Sequence, residues 1–321
     1  MPTVLITGGH GGIGFECAKE LAIRFRCDLI LAGRSPDRMT QAAQELERLG
    51  GIKVTQLPLD ISSLCSVREA AAELRRRLDS HEVDGLQALV CNAGTRFFDL
   101  RYSSDGYELT FATNYLGHFL LVELLADRVA PDARIVFTVS GTHDPDTTDG
   151  KLVGKSVRPD ARSLANVGKN GEKPITSGQC YSTSKLCMVM HAYELDRRLR
   201  IAGSSVESVA FCPGSVPDSG FLRSLPAPAR WLASSPFGKW LAKKTGTTTG
   251  DLKFSGVALA RVALDRTMQS PGGKYFQVND FTLTELRSSK LSYDSVLART
   301  LWDESKRLVK LQPSEEPALL R

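Results

Sequence analysis

The chain has 321 residues, 42% of them hydrophobic, enough to bury one large core as a single α/β domain. Lysine and arginine outnumber aspartate and glutamate by only 41 to 36 and form no arginine-rich tract, which argues against nucleic acid as a partner. Seven scattered cysteines without CxxC pairs argue against a metal site or disulfide framework and for reduced thiols in the cytoplasm. The opening Met1-Pro2-Thr3-Val4 shows no signal-peptide pattern, and no run reaches the ~20 uninterrupted apolar residues expected of a membrane span.

Short apolar runs alternate with amphipathic segments, the pattern of repeated βαβ units. The first strand, Thr3 to Thr7, enters Thr7-Gly8-Gly9-His10-Gly11-Gly12-Ile13-Gly14 and then a helix from Ile13 to Phe25. A glycine loop at this junction lets a diphosphate meet bare backbone N–H groups and a helix N-terminus. The second strand, Asp28 to Ala32, ends at Gly33-Arg34, where an acidic residue would serve a ribose 2′-hydroxyl. Arg34, with Ser35 and Arg38 beside it, instead suits a 2′-phosphate and points to NADP. Beyond the helix Arg38 to Leu49 and the strand Lys53 to Leu57 lies Leu59-Asp60-Ile61. Asp60 either accepts a hydrogen bond from adenine N6 or caps the helix Ser66 to Leu78.

The fourth strand, Ala88 to Cys91, leads to Asn92-Ala93-Gly94, and the helix Gly106 to Leu125 carries Asn114 and His118. On so apolar a helix His118 reads as a satisfied, buried or interface histidine rather than a catalytic one. Strand Arg134 to Val139 ends at Ser140, and helix Gln179 to Leu199 carries Tyr181, Lys185 and Cys187. Cys187 lies on a different face from Lys185 and reads as a packed thiol. Strands Ser205 to Ala210 and Lys274 to Val278, with helix Ser255 to Met268 between them, complete a single-domain Rossmann fold over residues 1–321: a doubly wound seven-stranded parallel sheet with helices on both faces. Two long stretches interrupt the alternation, 141–178 and 213–250. A last helix, Tyr293 to Leu311, closes the chain before a loose tail rich in proline and glutamate.

Taken in order, Thr7-Gly8-(x)3-Gly12-Ile13-Gly14, Asn92-Ala93-Gly94, Asn114, Ser140, Tyr181-(x)3-Lys185 and Pro213-Gly214 resemble the short-chain dehydrogenase/reductase superfamily. The run Asn114 to Leu121, the long insertion before Tyr181, Lys185-Leu186-Cys187 and Ala298 to Ser305 resemble its protochlorophyllide reductase and retinol-dehydrogenase-like branch. The resemblance implies NADP bound by Gly8, Gly9, His10, Gly12, Ile13, Gly14, Arg34, Ser35, Arg38, Asp60, Ile61, Asn92, Ala93, Gly94, Tyr181, Lys185, Pro213, Gly214 and Val216. It also implies a catalytic set of Asn114, Ser140, Tyr181 and Lys185. Tyr181 would donate the proton that an alkoxide needs, with Lys185 one helical turn away favouring its phenolate. Ser140 would orient the substrate oxygen, and Asn114 would hold a water relaying protons to Lys185.

One departure matters: light-dependent reductases carry Pro-Gly-Cys where this chain has Pro213-Gly214-Ser215. A serine is a far weaker acid than a thiol, so carbonyl/alcohol interconversion is the expected chemistry, ahead of reduction of an activated C=C bond. A silent NADP-binding regulator is a third reading, against which the proton donor and its partners are all present. The aromatic and basic mixture of 213–250, including Trp231, Phe237 and Trp240, suggests a lid over a bulky hydrophobic substrate, with a membrane-surface contact as the other use. A monomer or homodimer is expected.

Overall fold

The computed structural model describes residues 1–172, 174–216, 235, 244–268 and 270–321, and the proposed lid aromatics Trp231, Phe237 and Trp240 lie outside them. Strands β1 (Thr3–Thr7), β2 (Asp28–Gly33), β3 (Val54–Pro58), β4 (Leu86–Cys91), β5 (Val129–Thr138), β6 (Glu207–Cys212), β7 (Tyr275–Asn279) and β8 (Thr282–Leu286) form one sheet in the order β3-β2-β1-β4-β5-β6-β7-β8. All pairings are parallel except that of β7 with β8. The order reverses between β1 and β4, which opens the ligand crevice beyond Thr7 and Cys91.

Continuous apolar runs such as Val4-Leu5-Ile6 and Leu89-Val90 suit strands covered on both faces, and these residues are fully buried. One face is covered by α1 (Gly12–Ile23), α2 (Pro36–Gly50) and α8 (Leu252–Leu264). The other holds α3 (Leu64–Asp79), α4 (Gly117–Leu125), α7 (Ser177–Ile201) and α9 (Ser295–Leu308), with the short α5 (Thr148–Val153) and α6 (Ala161–Ala165) at its margin. Local chemistry sets the helix starts. Ser63 accepts from the Ser66 N–H, while Thr176 and Gln179 form a capping box at the head of α7; removing such a cap costs about 1 kcal/mol.

The structure departs from the sequence reading in three places. An eighth, antiparallel strand joins the seven expected, entered through a two-residue turn in which Asp280 and Phe281 both have positive φ, +47° and +58°. The expected helix Gly106 to Leu125 is instead a short turn at Leu109–Phe111, a π-helical segment Ala112–Leu116 and then α4. Its stretch Leu109–Arg128 is long and apolar enough to cross a membrane by length and composition, but Asn114, His118 and Glu123 interrupt the apolar run and 89% of its most apolar window is buried inside the fold. The tail is pinned rather than loose: Arg68 pairs with Glu315 at 2.7 Å, Lys306 pairs with Glu316, and Leu320 is fully buried.

Candidate active site

The nucleotide end is built on β1 and β2. Gly8 and Gly12 have φ of +69° and +55°, and the space that a Cβ on Gly12 would enter is open. Gly14 has the opposite constraint, because a Cβ there would come within 2.5 Å of Asn92 Nδ2 and 2.6 Å of the Gly8 carbonyl oxygen. Thr7 Oγ1 accepts from the N–H groups of both Asn92 and Ala93 at 2.9 Å, and Asn92 Nδ2 donates to the Thr7 carbonyl at 3.0 Å. Asn92-Ala93 thus holds β4 to the glycine loop.

Exposed Arg34 follows β2, and Arg38 reaches over the loop, so that a Cβ on Gly11 would lie 2.7 Å from its Nη2. Ser35 is the N-cap residue of α2 and its side chain makes no cap bond. His10 packs under Gly33; burial, with the charges of Arg38 and Arg34, lowers its pKa, and its Nδ1 is buried without a partner among the described residues. A positive-φ cradle with bare N–H groups, two guanidiniums and an unpartnered ring nitrogen fit a phosphorylated dinucleotide. Asp60 Oδ1 accepts from Ser62 N and Oγ at 3.0 and 2.7 Å, while the cap of α3 is Ser63. Ile61 meets the π segment so closely that a Cβ on Gly117 would stand 1.8 Å from its carbonyl oxygen.

The catalytic end gathers residues from four elements. Ser140, just past β5, accepts from Thr142 N and Oγ1 at 3.3 and 3.1 Å, which leaves its own proton for the Tyr181 phenol it bonds. Burial is the main cause that pushes Tyr181 up to about 12; the Ser140 bond and the Arg96 charge act the other way. Lys185 is buried, donates to the Thr138 carbonyl at 2.8 Å and is driven down to about 8, chiefly by burial. Its Nζ lies 5.9 Å from the Tyr181 ring centre.

Asn114 sits in the π segment. Its Oδ1 accepts from Thr95 N at 2.8 Å, and its Nδ2 donates to the Thr95 carbonyl and Ser184 Oγ, both at 3.0 Å. A Cβ on Gly94 would lie 3.1 Å from Lys185 Nζ and 3.2 Å from Asn114 Oδ1, so glycine lets these two groups meet. Pro213 accepts from Ser255 Oγ at 2.7 Å, Gly214 has φ +74°, and Val216 is buried against Gly250.

His118 is buried and its pKa falls to about 4, mainly through burial. As a neutral ring its Nδ1 donates to the Asn114 carbonyl at 3.0 Å and its Nε2 accepts from Thr7 Oγ1 at 3.0 Å, a bridge between the two ends of the site. Cys187 is a buried thiol raised by desolvation. Two residues at the catalytic end carry no motif. Neutral His143 donates from Nδ1 to the Ser140 carbonyl at 2.7 Å and accepts at Nε2 from Ser289 N at 3.1 Å. Arg96 places its guanidinium beside the head of α7. Its only signal in the sequence is a basic residue on the loop after a strand end, where ligands bind.

A glycine-lined dinucleotide crevice leading to a Ser-Tyr-Lys set defines a nicotinamide-nucleotide oxidoreductase. The family model described as short chain dehydrogenase matches residues 2–146, which include the nucleotide end and Ser140 but not Tyr181 or Lys185. Relatives cover the rest. Protochlorophyllide reductase A, chloroplastic, of Oryza sativa subsp. japonica is 30% identical over 96% of this chain and 80% of its own length. Polyprenol dehydrogenase of Danio rerio is 30% identical over 96% of this chain and 86% of its own. A solved protein from Mycobacterium paratuberculosis superposes with a TM-score of 0.69 at 26% identity, covering 97% and 94% of the two chains. The chain belongs to the short-chain dehydrogenase/reductase superfamily, in the branch of the protochlorophyllide reductases and retinol-dehydrogenase-like enzymes.

Proposed function

We propose that the protein interconverts a carbonyl and an alcohol with NADP(H), using Tyr181 as the proton donor and acceptor, on a bulky hydrophobic substrate. The observation that carries this reading is the convergence of half-buried Ser140 with buried Tyr181 and Lys185. When bound, the nucleotide supplies or takes the hydride, and Arg34 and Arg38 suit its 2′-phosphate. The rest is done by the chain. Ser140, which bonds the Tyr181 phenol, would also donate to the substrate oxygen, and Tyr181 gives a proton to the alkoxide or removes one from the alcohol. Lys185, buried one helical turn away, favours the phenolate that this leaves. The aromatic composition of 213–250 supports a lid over an apolar substrate.

Reduction of an activated C=C bond is the second reading, supported by the likeness to the rice protochlorophyllide reductase. Against it, Ser215 is exposed, and the nearest thiol, Cys212, is buried and pushed up to about 11.

The test is NADPH oxidation against matched ketones, aldehydes and enones. Tyr181→Phe is expected to cut carbonyl turnover roughly a thousandfold while NADPH affinity stays within about threefold. Turnover of enones alone, or survival of ketone reduction in the variant, would overturn the reading.

A further inference from the structure

Among the described residues, Arg96 is a shielded cation at the catalytic end that takes no part in the proposed proton transfer. The backbone before it is anchored twice: Thr95 N donates to Asn114 Oδ1 at 2.8 Å and the Thr95 carbonyl accepts from Asn114 Nδ2 at 3.0 Å. From that anchor the side chain crosses to the first turn of α7, where Nη2 donates to Ser177 Oγ at a long 3.3 Å. Phe98 covers the guanidinium with its ring centre 4.5 Å from Cζ. Gly178 keeps the other side clear, since a Cβ there would stand 3.2 Å from Nη2.

Among the described residues this cation has no counter-charge: its buried Nε has no acceptor there and no carboxylate there pairs with it. Comparably shielded arginines differ: Arg68 faces Glu315 at 2.7 Å, Arg75 faces Asp127 at 2.7 Å and Arg134 faces Glu207 at 3.2 Å. Burial lowers the Arg96 pKa, so the charge is held at a cost that an anion would relieve. Ser177 stands one helical turn before Tyr181 on α7, so the guanidinium lies on the catalytic side of the crevice, where its charge also acts on Tyr181. A planar fork flanked by an aromatic ring matches a carboxylate attached to an apolar body.

We propose that Arg96 binds a carboxylate on the substrate, so that the enzyme acts on hydrophobic oxo or hydroxy acids rather than on neutral ketones and alcohols. The proposal rests on the carbonyl/alcohol reading of Tyr181 and names the substrate class for that site. Arg96 sets specificity; it moves no proton.

The probes are para-acetylbenzoate, an acetyl-biphenyl carboxylate and their methyl esters, each measured in two ways on NADP(H)-loaded protein. Calorimetry reads binding without turnover, and NADPH oxidation reads the reaction. Wild-type protein is expected to bind each acid at least about tenfold more tightly than its ester, as one charge-assisted pair allows. Arg96→Gln should collapse that acid-to-ester ratio toward one in binding and in kcat/KM, and Arg96→Lys should restore part of it. Equal binding of acid and ester by wild-type protein overturns the proposal. So does a Gln variant that weakens NADPH and both probes alike, which would make the guanidinium a support for the nucleotide or the fold. Selective acid binding without turnover upholds the anion site and counts against the carbonyl reaction, so the two readings fail separately.

Discussion

The two ends of the crevice are finished in different ways. At the nucleotide end, Arg34, Arg38 and His10 Nδ1 have no polar partner among the described residues, and Gly12 borders open space. At the catalytic end almost every polar group is already bonded: Ser140 to Thr142 and Tyr181, Lys185 to Thr138, Asn114 to Thr95 and Ser184. The first is a receptor that a ligand completes, and the second is assembled before any ligand arrives. That division suits the chemistry, since charge developing in the transition state is best met by groups that need no reorganisation.

The sharpest way to break the comparison is to remove a member of the preassembled end. Lys185→Met is expected to lower carbonyl turnover by roughly a hundredfold to a thousandfold, with NADPH binding far less affected. The pH profile gives an independent reading. With Lys185 lowered to about 8, its ammonium is present below that pH and lost above it, so carbonyl reduction should fall as pH rises through about 8. The limb should vanish in the variant; its persistence would assign it to another group.

At the receptor end, Arg34→Ala combined with Arg38→Ala should weaken NADPH by about ten- to a hundredfold and leave NADH within about threefold, measured by fluorescence titration. Equal losses for both nucleotides would show that the two arginines support the loop and not the 2′-phosphate.

The smallest effect concerns an exception behind the catalytic end. Glu123 on α4 is buried with neither oxygen bonded among the described residues, and burial first, then Glu316, raises it to about 8 while Lys306 and Arg198 oppose the rise. The folded chain therefore keeps a proton that the unfolded chain releases near its usual carboxylate range. Its contribution to stability is whole below about 4.5 and is lost as pH climbs through about 8. Glu123→Gln should flatten this decline and stabilise the protein at pH 9 by about 2 kcal/mol, read from melting curves across pH.

The receptor end was legible in the sequence because its requirements are local. A glycine run between a strand and a helix, and an arginine where the second strand stops, need only neighbours in the chain. Tyr181 and Lys185 were legible for the same reason, four residues apart on one helix. The unread features depend on distant parts. β8 carries Thr282-Leu283-Thr284-Glu285-Leu286, mostly exposed, so no buried stripe marks it. The π segment around Asn114 has ordinary helical composition; its register is tied to the close approach of Gly117 and Ile61. The tail looked loose by composition, yet Arg68, 247 positions away, holds Glu315. Arg96 and His143 belong to no motif and acquire meaning only from what they touch.

The hairpin of β7 and β8 gives the catalytic end a further support. Its two-residue turn leaves no slack between Asn279 and Thr282, and one added residue would move every β8 side chain to the opposite face. The chain leaving β8 then brings Ser288 Oγ to Tyr193 at 2.8 Å and the Ser289 N–H to His143, while His143 holds the Ser140 carbonyl. The hairpin works as a ruler: it measures out the chain so that an amide reaches a ring 146 positions earlier, and through that ring it steadies the backbone that carries Ser140.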